Sequence, residues 1–260
     1  MKSTSFHILN GSTLKKQFPK QIIGDLIVTN ECLVDGNVLG ENLTVLYNNR
    51  AKYLSESYGG TIQSYFEKVI TEFNKIQELP IDAEINLWFE EDLFCQVNFW
   101  FVLYLIKQQT DIRRVYLVLP NKENRYGFGG MNNESLIESF SHKIQITESD
   151  FNKLSGFWEL YQRNDITNLQ KKSEKLNIKY PFLLPAIKAH SDRTSEDGLL
   201  GRPEQTIVNI MKELQTEDFP IVFGEFCKRE AIYGFGDLQV KQLFDNVISR
   251  KSTMPIRITP

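Results

Sequence analysis

Short apolar runs and segments of helical period alternate along the first half of the chain. Residues 6–9 carry Phe6, Ile8 and Leu9 and stop at Asn10-Gly11-Ser12-Thr13, a turn cluster with good helix-capping residues. Strand, turn, helix is the economical reading. Residues 25–30 hold Leu26, Ile27 and Val28 in a row, residues 84–89 hold Ile85, Leu87, Trp88 and Phe89, and residues 114–119 run up to Pro120. Such runs predict strands covered on two faces. Between them the period becomes helical, most clearly at Ile62, Tyr65, Phe66, Val69, Ile70, Phe73 and Ile76. Residues 93–108 are apolar nearly all round, as expected of a central helix packed on a sheet. The alternation predicts an α/β fold, a mostly parallel sheet with helices on both faces and right-handed crossovers.

Past the fourth strand the pattern changes. Residues 121–133 contain Gly127, Gly129 and Gly130 and read as a long, lid-like loop. Helical segments follow at 148–161 and 166–176, and the polar stretch 191–198 suits a linker. This divides the chain into an α/β domain with a helical extension, 1–190, and a small C-terminal unit, 191–260. The unit has three helical signatures, with Pro203 at a helix start, and an alternating tail, 254–259, that suits a strand. Its outline is winged-helix-like. Tyr233-Gly234-Phe235-Gly236-Asp237 echoes Tyr126-Gly127-Phe128-Gly129-Gly130, too short a match to be a repeat.

Composition narrows the setting. Lysine and arginine total 30 against 33 aspartate and glutamate, so no bulk charge draws the molecule to nucleic acid or anionic lipid. The longest apolar run, 97–106, contains Asn98 and is about half the ~20 residues a membrane span needs. Three widely spaced cysteines, Cys32, Cys95 and Cys227, fit neither a disulfide framework nor paired zinc ligands. A reducing cytoplasm is the expected compartment.

Four segments together carry a family resemblance: His7-Ile8-Leu9-Asn10-Gly11; Glu31-Cys32-Leu33-Val34-Asp35-Gly36; the stretch from Leu87-Trp88-Phe89-Glu90-Glu91-Asp92 through Leu93-Phe94-Cys95-Gln96-Val97-Asn98; and Ile232-Tyr233-Gly234-Phe235-Gly236-Asp237-Leu238-Gln239. The chain resembles the bacterial domain-of-unknown-function family numbered eighteen thirty-five, with its usual C-terminal companion domain. The resemblance implies a cytoplasmic bacterial protein and no particular activity. Ser12 stands where relatives tend to have Asp, and Asn30 where they tend to have Arg, which weakens a metal site at that turn.

In an open parallel sheet, ligands sit beyond the carboxyl ends of the strands. The chain places Asn10, Ser12 and Thr13 after the first strand, Glu31 and Asp35 after the second, and Glu90, Asp92 and Gln96 after the third. Converging carboxylates hold hard cations such as magnesium, which assist phosphoryl or phosphodiester chemistry on a phosphorylated small molecule. In this reading Glu90 and Asp92 are the metal ligands and Glu31 or Asp35 completes the site or acts as base. Asn10, Ser12, Thr13 and Gln96 hold the ligand, with an anion at the helix start. The competing reading is structural: Ser12, Thr13 or Asp92 caps a helix, and Asp35-Gly36 forms a turn. His7 reads as a core residue, and Cys95 has no base beside it in sequence. A second function is a regulator whose C-terminal unit contacts DNA or a protein. Charge argues against nucleic acid, since nine acidic residues oppose eight basic ones from 197 onward and residues 238–249 offer only Lys241.

Overall fold

The computed structural model describes residues 5–109, 114–121, 127–194 and 199–253, without the side chains of 252 and 253. The chain opens with β1 (Ser5–Asn10), α1 (Ser12–Lys16), β2 (Asp25–Thr29) and α2 (Leu43–Tyr58). Next, α3 (Ile62–Tyr65) runs through a π turn (Phe66–Ile70) into α4 (Thr71–Gln77). Then come β3 (Glu84–Trp88), α5 (Leu93–Lys107), β4 (Arg114–Val118), a 3-10 turn (Gly127–Gly130), α6 (Asn133–Ser141) and β5 (Ile144–Ile146). Four helices follow: α7 (Glu148–Leu154), α8 (Phe157–Gln162), α9 (Ile166–Glu174) and α10 (Leu183–Asp192). The last elements are α11 (Arg202–Glu213), α12 (Phe219–Arg229), a 3-10 turn (Ala231–Tyr233) and α13 (Asp237–Thr253).

The sheet order is β2-β1-β3-β4-β5, with the first four strands parallel and β5 antiparallel at the edge. Strand alternation divides the apolar side chains between two cores. Ile8, Ile27, Ile85, Leu87, Val115 and Leu117 face the larger core, with α2, α4, α5, α8 and α10. Leu9, Val28, Trp88 and Val118 face the smaller one, with Leu14, Phe128, Met131 and Leu136. The doubly covered α/β sheet expected from the apolar runs is therefore present, and α5 is buried around its circumference.

Several sequence expectations are refined. The 121–133 loop holds a short 3-10 turn, with 122–126 outside the described residues. The helical period at 62–76 contains a π turn, and the segment at 148–161 is broken at Ser155 and Gly156 into α7 and α8. Residues 191–198 begin inside α10, which runs to Asp192, and 195–198 lie outside the described residues. The three C-terminal helices form, while the expected strand at 254–259 also lies outside them. Val222, Phe226, Tyr233, Val240, Phe244 and Val247 of this unit join the larger core of the α/β part. His7 is a core residue: its ring accepts from Trp88 Nε1 at 3.2 Å and meets the Ile23 carbonyl at 3.2 Å. Among the described residues no helix is long and apolar enough to cross a membrane.

Candidate functional site

The strand order reverses direction between β1 and β3, so their carboxyl ends open a crevice at a topological switch point. Asn10 ends β1, and Glu90 and Asp92 lie in the short turn from β3 to α5. Asp92 is the N-cap of α5 and accepts from the Cys95 amide at 2.9 Å, as the capping reading expected. Capping places Cys95 one turn in, and one ligand atom from each of Glu90, Asp92 and Cys95 lies within 4.8 Å of the others. Asp92 thus caps the helix and belongs to the cluster.

Glycines shape the cover. Glu90 accepts from the Phe128 amide at 2.9 Å, and a Cβ on Gly127 would overlap its carboxylate. Gly234 lies against Asp92 in the same way, where a Cβ would overlap Oδ1. Both glycines adopt positive φ, +55° and +64°, which L side chains disfavour. The two Gly-Phe-Gly segments that echo in sequence therefore each lay a glycine against one of the two carboxylates.

The charges are poorly compensated. Burial, then repulsion from Asp92, pushes Glu90 up to about 7, although the Phe128 amide pulls the other way. Burial raises Asp92, against the bonds it accepts near Cys95, and raises the Cys95 thiol further, with both carboxylates adding to it. A thiol held in its neutral form is a poor nucleophile, so attack by the Cys95 sulfur is disfavoured. Each carboxylate accepts from a backbone amide, Glu90 from Phe128 and Asp92 from Cys95. Gln96 is buried, donates to the Glu90 carbonyl at 2.7 Å and leaves Oε1 without a partner among the described residues.

Asparagines tie the crevice to the second loop. Asn10 donates to Cys95 Sγ at 3.0 Å and accepts from Asn98 Nδ2 at 2.8 Å. Asn98, buried on α5, donates as well to the Glu31 carbonyl at 2.7 Å. The Glu31 side chain lies elsewhere. It is buried and paired with Arg50 at 2.6 Å, and Arg50 also donates to the carbonyls of Cys32, Asp35 and Asn37. Burial raises Glu31 and the arginine charge opposes this, while Glu31 holds Arg50 above its ordinary value in spite of burial. A guanidinium keeps its proton in a protein, so the buried Arg50 charge faces the Glu31 carboxyl. Asp35 accepts from the hydroxyls of Tyr53, at 2.6 Å, and Tyr58.

The sequence-derived residues therefore separate into two groups. Asn10, Glu90, Asp92 and Gln96 converge, while the Glu31 side chain pairs with Arg50 and the Asp35 side chain with the Tyr53 and Tyr58 hydroxyls. Ser12 and Thr13 cap nothing: Gly11 is the N-cap of α1, without a side-chain bond, and both residues are exposed in the first turn. Sequence reasoning missed Cys95 as a cluster member, Asn98 and the two glycines. The available signals were a polar pair, Gln96 and Asn98, inside an apolar helix, and the Gly-Phe-Gly echo.

Fold and site define a doubly wound α/β protein with a carboxylate–thiol cluster at its switch point. Comparison with protein-family models, with curated proteins and with solved structures found no match to this chain.

Proposed function

We propose that the β1/β3 crevice binds a divalent cation on Glu90 and Asp92, and that the protein uses it to bind or process a phosphorylated small molecule. The observation that carries this reading is the close approach of two carboxylates and a thiol with no neutralising base among the causes that set their protonation. Such a cluster is stabilised either by protons or by a cation. The donor set fits a cation. Magnesium or manganese would take the carboxylate oxygens and leave sulfur aside, whereas zinc would accept both kinds of donor. When bound, the cation supplies electrophilic activation of a phosphoryl oxygen. Asn10 orients the Cys95 sulfur, Gln96 offers a buried carbonyl oxygen, and the exposed Ser12 and Thr13 turn stands at the strand end where an anion would approach.

Titration calorimetry with magnesium, manganese and zinc separates the cases. Wild type is expected to bind at least one of them, and Glu90→Gln with Asp92→Asn to bind it at least tenfold more weakly. Asparagine remains a good cap and glutamine keeps an acceptor for Phe128, so both variants should fold. Equal binding, or none in wild type, reduces the cluster to helix capping. The regulator reading gains no comparable support, because α13 turns Gln239 and Gln242 inward, onto Cys32 Sγ and the Ser57 carbonyl.

A further inference from the structure

A second opening lies where the loop after β2 and helix α2 meet α13, with a volume of about 380 Å³. It holds neither Glu90 nor Asp92. Its walls are apolar at Pro203, Phe235 and Leu243 and carry two charged groups, Asp35 and Arg193. Gly36, at φ +75°, lets Tyr53 lie against the loop, since a Cβ there would overlap the ring. The glutamines of α13 that border the opening are occupied. Gln239 donates to Cys32 Sγ and accepts from the Gly236 amide at 3.0 Å, while Gln242 donates to the Ser57 carbonyl at 3.2 Å and meets the Tyr58 hydroxyl at 3.3 Å. They hold this corner together and leave the recognition of a ligand to other groups.

Neither charge in the wall is fully used. Asp35 accepts the Tyr53 and Tyr58 hydroxyls on the same oxygen, Oδ2, and its Oδ1 makes no hydrogen bond among the described residues. Arg193 gives two of the five guanidinium N–H groups to the Val34 carbonyl and, at 3.0 Å, to the Tyr161 hydroxyl, and its buried Nε has no partner among the described residues. Both partners of Arg193 are neutral, and no ion pair joins it to Asp35 or to another acid among the described residues. A lone anion entering the opening would meet the Asp35 charge, and a lone cation that of Arg193. A ligand that carries both signs satisfies both walls, through charge-assisted hydrogen bonds about twice as strong as neutral ones. We propose that this opening binds a free α-amino acid in its zwitterionic form, the carboxylate on Arg193, the ammonium on Asp35 and an apolar side chain against Phe235 and Leu243. The volume falls at the small end of the ~300–1,000 Å³ typical of ligand sites, so it suits one amino acid and not a peptide.

The full chain is titrated calorimetrically with leucine and phenylalanine, and with analogues that keep the side chain and one charge: isoamylamine and isocaproate for leucine, phenethylamine and hydrocinnamate for phenylalanine. Saturable binding of at least one of the two amino acids is expected, with each of its one-charge analogues about tenfold weaker or more. Asp35→Asn keeps an acceptor for the two tyrosines, and Arg193→Gln keeps a donor for the Val34 carbonyl. Each should weaken the amino acid about tenfold or more. The carboxylate analogue, which has no ammonium to place, should bind Asp35→Asn at least as well as it binds wild type. Absence of amino acid binding at millimolar concentration, a one-charge analogue that binds as tightly as its amino acid, or affinity unchanged in both Asp35→Asn and Arg193→Gln would overturn the assignment. The analogue comparison uses the wild-type chain, so it decides the case even if a variant does not fold.

Discussion

Arg50 is buried on α2, and its guanidinium replaces lost water with Glu31 and three carbonyls. Removing one partner of such a pair strands the other charge, at a cost of about 3–5 kcal/mol. Arg50→Met should therefore destabilise by that order in urea unfolding, and adding Glu31→Gln should recover part of the loss. Additive losses would show that the pair is not ionic. His190 makes the clearest pH statement. Burial, then the charge of Arg193, lowers it from 6.5 to about 3. The unfolded chain takes up this proton near 6.5 and the folded chain only near 3. No stability is lost above pH 6.5, where both states are neutral, and about 5 kcal/mol in all is lost as pH falls toward 3. His190→Phe, which keeps a ring beside Tyr161, should flatten that acid limb of stability. An unchanged slope would show that other groups govern it.

At the scale of elements, the two glycine corners bear directly on the site. Gly127→Ala and Gly234→Ala each impose a positive φ on a side chain and press a methyl onto a carboxylate, so each should cost about 1–3 kcal/mol. Gly129→Ala, where nothing lies within 4 Å, is the control and should change stability by less than about 0.5 kcal/mol. Thermal melts of the three variants distinguish these outcomes. The same elements show what the chain made legible. The four parallel strands and α5 were readable because buried strands and an all-round buried helix leave unbroken apolar runs. Helix α2 was not, although Leu46, Tyr47, Arg50 and Ala51 form its buried stripe, because an arginine at a core position breaks the apolar count. Strand β5 was missed because three residues at an antiparallel edge carry too little pattern. In the site, Asn10, Glu90, Asp92 and Gln96 were legible from strand ends alone. The separation of Glu31 and Asp35 was not, since it depends on Arg50, Tyr53 and Tyr58 arriving from α2.

Across the whole molecule, the larger core runs without interruption from Ile8 to Val247 and joins the C-terminal helices to α5 and α10. A shared core couples the unfolding of its parts. Tryptophan fluorescence, which reports Trp88, Trp100 and Trp158 in the α/β part, and far-ultraviolet circular dichroism, which also reports the C-terminal helices, should therefore give one coincident transition. A separate late or early dichroism phase would mean that the two units fold independently. This continuity lets Gly234, far along the chain, close one side of a crevice built by β1 and β3.

The most direct measurement is an anomalous difference map from crystals of the full chain soaked in manganese. A peak bonded to Glu90 and Asp92, and lost in Glu90→Gln with Asp92→Asn, is the expected result. A crevice without a peak at saturating manganese, or a peak that persists in the double variant, would contradict a cation site at the switch point.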